Sequence, residues 1–197
     1  AVQAEVYNFA FSLTGGAGAA IARAVNGGQT VISLAGTTAK AVRVDANSIT
    51  LRALDASRVT ADSLGASGGL FFGGNGAEAV AQNLGQQSIS LANIRFVATS
   101  VTLSNRSSAR AEADADGVAV SAILGIGASV ATARLASVVS TTMAGGSITA
   151  NTVSLSTGVD ATLGTNSLAS ANSSSGGLLS GNGAEANAWL DYSVSTT

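Results

Sequence analysis

The tetrapeptide Ser48-Ile49-Thr50-Leu51 returns as Ser100-Val101-Thr102-Leu103 and again as Thr152-Val153-Ser154-Leu155, each time 52 residues further on. A fixed period of this length constrains the fold before any single residue does, because each unit must pack against near-copies of itself. A second motif recurs at about twice that distance. Ser67-Gly68-Gly69-Leu70, leading to Gly74-Asn75-Gly76-Ala77-Glu78-Ala79, reappears as Ser175-Gly176-Gly177-Leu178, leading to Gly181-Asn182-Gly183-Ala184-Glu185-Ala186, so that Asn182 follows Asn75 by two periods and a small insertion. Degenerate versions lie at Gly16–Arg23 and Gly127–Arg134, in the units that alternate with them. The chain therefore reads as one continuous array, residues 1–197, with units 1–51, 52–103, 104–155 and an incomplete 156–197.

Within each unit the local period is two. Ala109-Arg110-Ala111-Glu112-Ala113-Asp114-Ala115-Asp116 puts alanine on one face of a strand and every charge on the other, whereas a helix would scatter those charges around its circumference. Short β-branched segments bounded by Gly, Asn or Asp complete an all-β pattern. Hydrophobic residues make up 46% of the chain but aromatics only 4%, so any core is built mainly of alanine and valine and is thin. Tandem antiparallel β-sandwich repeats would need larger core residues and hairpin turns between paired strands. A right-handed parallel β-solenoid tolerates thin ladders of like residues stacked coil on coil, and is the expected fold. Two coils of about 26 residues or three of about 17 would fill a unit, giving a rod roughly 35 to 55 Å long at the spacing of stacked strands. The Gly-x-Gly elements at Gly16, Gly74, Gly125 and Gly181 are expected to be corner turns with positive φ.

Composition also excludes function classes. Histidine, cysteine and proline are absent and Lys40 is the only lysine. Without histidine or cysteine the usual general base, thiolate nucleophile and zinc ligands are missing, so the abundant serines have no histidine partner to activate them. The arginines are scattered singly from Arg23 to Arg134, which gives no basic patch for a nucleic-acid backbone. No stretch approaches the roughly twenty apolar residues of a transmembrane helix.

The remaining candidates are few. Glu112, Asp114 and Asp116 share one strand face and offer hard oxygen ligands for Ca²⁺ if a neighbouring coil adds Asp62 or Asp160, although a solvated outer face is the plainer expectation. Asp114 and Asp116 are also the one same-face carboxylate pair to nominate for glycoside cleavage, so a carbohydrate-binding or carbohydrate-cleaving solenoid is the alternative function. Ser48/Thr50, Ser100/Thr102 and Thr152/Ser154 form a candidate hydroxyl ladder. Of Phe71 and Phe72, beside a Gly-Gly pair, one is expected to face out as an interaction point.

Taken together, the Ser-x-Thr-Leu strands, Ser-Gly-Gly-Leu segments, Gly-Asn-Gly-Ala elements and alternating-alanine strands resemble the repeat regions of very large bacterial filamentous haemagglutinin-like adhesins. That resemblance implies a β-helical shaft, export to the cell surface or extracellular matrix, and contact with other cells or surface glycans. It carries over no catalytic residue. Neither end of the sequence shows an atypical polar cap, so further repeats, or copies of the chain stacked end to end or side by side, are the expected partners.

Overall fold

The structure, a computed structural model, describes residues 1–160 and 165–197. It is all-β, and every strand pairing is parallel, which removes the antiparallel sandwich. The strands are β1(Val2–Ser12), β2(Gly15–Asn26), β3(Gln29–Ala35), β4(Val42–Asp55), β5(Arg58–Gly69), β6(Phe72–Asn83), β7(Gln86–Ser107), β8(Arg110–Ser121), β9(Leu124–Leu135), β10(Val138–Val159), β11(Asn166–Gly176), β12(Leu179–Leu190) and β13(Ser193–Thr196). They are dealt in rotation into three sheets. Sheet one is ordered β1-β5-β8-β11, sheet two β2-β6-β9-β12, and sheet three runs β3-β7-β10-β13 with β4 also on β7. This is the connectivity of a parallel β-solenoid, in which each pass of the chain adds one strand to every sheet.

The register follows the sequence period. Asp62 lies opposite Asp114, Ala61 opposite Ala113 and Leu51 opposite Leu103, so like residues stack because the units are near-copies spaced by one sequence period. One repeat unit is therefore one whole coil, and the expectation of two or three coils per unit is corrected. Each sheet is only four strands deep, about 20 Å along the stacking direction, rather than a rod of roughly 35 to 55 Å. The offset between paired strands changes at three places. Residues 36–41 stand between β3 and β4 where β7 has only Asn93, so Gln29 faces Gln86 while Val42 faces Ile94. A second shift falls between Val159, opposite Ser107, and Asn166, opposite Arg110. A third, of one residue, falls in the arc between Gly176, opposite Val120, and Leu179, opposite Leu124.

Each coil reaches its length by making two arms. In the first arm, sheets one and two lie face to face and are joined by two-residue arcs such as Leu70-Phe71. Their shared core is mostly alanine: Ala22, Ala61, Ala79, Ala81, Ala111, Ala131 and Ala133 are fully buried. Towards the arcs even alanine is too large. A Cβ at Gly16 would lie 2.5 Å from the carbonyl oxygens of both Ala10 and Gly68, and one at Gly125 would lie 2.5 Å from that of Gly176. These glycines sit inside strands and let two backbones approach. They are not corners, since positive φ among the described residues is confined to Asn93 (52°), Gly145 (70°) and Gly146 (101°).

In the second arm, sheet three curls on itself around a separate core of Ile89, Leu91, Ile94, Phe96, Val101 and Leu103. The curl is where the positive φ values fall: Ala92 pairs with Ala144 and Ile94 with Gly146, which sets Asn93 level with Gly145. Asparagine is among the few non-glycine residues that enter the left-handed region at modest cost. Between the arms is a polar neck. Asn83 donates through Nδ2 to Ser57 Oγ (2.9 Å) and to the Arg110 carbonyl (3.0 Å), and Gln87 Nε2 donates to Asp55 Oδ2 (3.2 Å).

Candidate functional site

The alternation in β8 appears as expected: Ala111, Ala113 and Ala115 are buried, and Glu112, Asp114 and Asp116 turn outward. Stacking sets Asp114 beside Asp62 and Asp62 beside Glu5, a column of three carboxylates from three successive coils that continues to Ser170. At the strand spacing of about 4.8 Å these charges repel one another. Asp62, in the middle, has its carboxyl raised above the ordinary 3.8, first by burial and then by Asp114, Glu5 and Glu112, with Arg58 opposing.

The three carboxylates of β8 do not act as a set. Glu112 is ion-paired with Arg58, and Asp116 accepts a hydrogen bond from Asn172 Nδ2 at 3.0 Å. Asp62 does stand across from Asp114, but Asp160 is engaged elsewhere by Arg106, 3.1 Å away. Among the described residues no group of three or more His, Cys, Asp or Glu side chains is placed to hold a metal ion.

The arcs of the first arm form an apolar tip. Phe71 lies in an arc and Phe72 opens β6, and both are exposed (54% and 38%) where only one was expected to be. Phe72 leans over Gly74, where a Cβ would come 2.7 Å from its ring, and Phe11 similarly covers Gly68. Arcs of successive coils stack through main-chain hydrogen bonds, Ala122 N to Leu70 O (3.1 Å) and Leu178 N to Ala122 O (3.2 Å). Exposed Leu13, Leu70, Phe71, Ile123 and Leu178 are thereby brought into one ridge, beside a shallow cleft of about 710 Å³ lined by Phe11, Leu13, Leu70 and Val120.

The hydroxyl ladder is present in register: Ser48, Ser100 and Thr152 align, as do Thr50, Thr102 and Ser154. Ser100 Oγ donates to Ser48 Oγ at 3.1 Å, so rungs bond to one another along the stack. The Gly-x-Gly elements lie within β2, β6, β9 and β12 with no helix after them, which removes any likeness to a phosphate loop.

The chain matches no family model, no curated protein and no solved structure. Its chemistry is therefore carried by its own geometry. The acid column and the apolar tip are surfaces that stacking builds. Glu5 was missed from sequence. It stands further before Asp62 than one period, because the extra residues 36–41 intervene.

Proposed function

We propose that this chain is a non-catalytic shaft segment of a large exported surface protein, akin to the filamentous haemagglutinin-like adhesins its repeats resemble. In this reading the coils wind right-handed, as parallel crossovers do. Stiffness comes from the main-chain hydrogen bonds between coils. The observation that carries the reading is the coil-on-coil pairing: each strand pairs in parallel with its own counterpart in the next unit, so the array extends by repetition.

The outer strands of the stack support extension as well. β1 and β11, β2 and β12, and β3 and β13 end their sheets, and each offers a row of main-chain donors and acceptors to a further coil. The further coil is either another repeat of the same polypeptide or a second copy, and the apolar tip gives such rods a lateral contact. Export to the cell surface or matrix, and adhesion there, belong to the same proposal.

Light scattering on residues 1–197 over a range of concentrations tests it. The average mass is expected to climb with concentration as ends meet. A stable monomer at every concentration would overturn the self-associating shaft.

A further inference from the structure

Trp189 is the chain's only tryptophan, and it stands half exposed (51%) on the outer face of sheet two rather than in either core. Register sets it beside Arg134, which stands beside Gln82, so three successive coils contribute one residue each to a single column. Thr132 on β9 and Asp191 just after β12 close the group, and the five side chains wall a cavity of about 380 Å³. Among the described residues, the side chains of Gln82, Thr132, Arg134 and Asp191 are held by no hydrogen bond or ion pair within the protein. An uncommitted carboxamide, hydroxyl, guanidinium and carboxylate therefore surround an open indole.

We propose that this cavity binds a neutral glycan, with the Trp189 ring as the platform for a pyranose and Gln82, Arg134 and Asp191 as partners for its hydroxyls. A pyranose presents an apolar face of C–H groups and a rim of hydroxyls that both donate and accept. An aromatic plate flanked by a few convergent polar groups matches both features. Arg134 donates and Asp191 accepts charge-assisted hydrogen bonds, which are stronger than neutral ones. One cation and one anion leave the cavity without net charge, which favours a neutral sugar over a sulfated or uronic one. The cavity contains a single carboxylate, whereas glycoside cleavage uses two, so the site binds and does not cut. Arg134 and Gln82 lie on the side of Trp189 away from the edge at which a further coil would add. The inference is thus independent of whether the shaft self-associates.

Because Trp189 is the only indole, emission excited at the red edge, where Tyr7 and Tyr192 do not absorb, reports this site alone. The test titrates the chain with neutral gluco-, manno- and N-acetylglucosamine oligosaccharides and with a sulfated oligosaccharide, followed by fluorescence and by calorimetry. At least one neutral sugar is expected to shift the emission saturably. Trp189→Ala should weaken its calorimetric affinity about tenfold or more, as loss of a central aromatic anchor does, and Asp191→Asn about threefold. Both variants should keep the parent's urea midpoint. The proposal is overturned if no neutral oligosaccharide binds, if binding requires sulfate, or if Trp189→Ala binds as tightly as the parent.

Discussion

Two neighbouring glycines of β6, Gly73 and Gly76, should respond to the same substitution with opposite signs. Gly73 faces inward, and a Cβ there would lie 2.7 Å from the Val120 carbonyl oxygen, 3.1 Å from its carbon and 3.3 Å from its nitrogen. These are backbone atoms and cannot swing aside. Carbon contacts are comfortable at about 3.5 Å or more, so sheets one and two must part locally by about 0.8 Å, a gap that forfeits a quarter to a half of each dispersion contact it opens. Overpacking of this kind costs about 1–3 kcal/mol. Replacing a strand glycine by alanine returns about 0.5–1 kcal/mol by restricting the unfolded chain. Gly73→Ala should therefore be destabilising by about 1–2 kcal/mol net. Gly76 faces outward with no heavy atom within 4 Å of the added Cβ, so Gly76→Ala keeps only the gain and should be stabilising by about 0.5–1 kcal/mol. Urea unfolding with linear extrapolation measures both, and the midpoints should move in opposite directions at unchanged slope. Equal destabilisation by the two variants would refute the idea that glycine sets the spacing between the sheets.

Further outcomes follow from the same packing. Phe96, fully buried in the second arm, should cost about 3–5 kcal/mol when cut to alanine, and a loss under about 1 kcal/mol in denaturant unfolding would mean that the curl does not enclose a core. Ala111→Leu should cost about 1–3 kcal/mol by forcing bulk between the sheets, and a calorimetric melting shift no larger than that of Arg110→Gln would show the faces of β8 reversed. Asp62 has a raised folded-state pKa, so its contribution is fully present below 3.8 and is lost as pH rises through the raised value. Asp62→Asn should remove that loss, and parent and variant with stability curves of identical shape across this range would contradict the repulsive column.

The repeat, the strand class and the face of β8 were legible because the long period and the alternation of two are both written directly in the residues. The outline of a coil was not. A circuit as long as a whole unit needs a curl, and the curl rests on Asn93 and Gly145, which in sequence look like any loop residues. It also needs a neck, whose Asp55, Ser57 and Asn83 read as ordinary turn formers until they are seen bonded together. The glycines misled for a related reason. Their sequence signature is the same whether they supply positive φ or a missing Cβ, and only the facing sheet tells the two apart. Columns were legible wherever the offset stayed at one period, as for Asp62 and Asp114. They were hidden where it shifted, as for Glu5 below them and for Trp189, which lies more than one period after Arg134.

The extra residues 36–41 make a small loop closed by Thr37 N to Lys40 O at 3.0 Å, and strand pairing resumes on both sides of it. The curl of the first coil thus accepts added sequence while the strands on both sides of it keep their pairing with β7. In the next two coils the same level of the stack is held by single residues, Asn93 and Gly145, and the strands β7 and β10 run through it without interruption. One coil can thus be longer than its neighbours at this point and still supply the same rungs, so the length of a unit and the spacing of the stack are set by different residues.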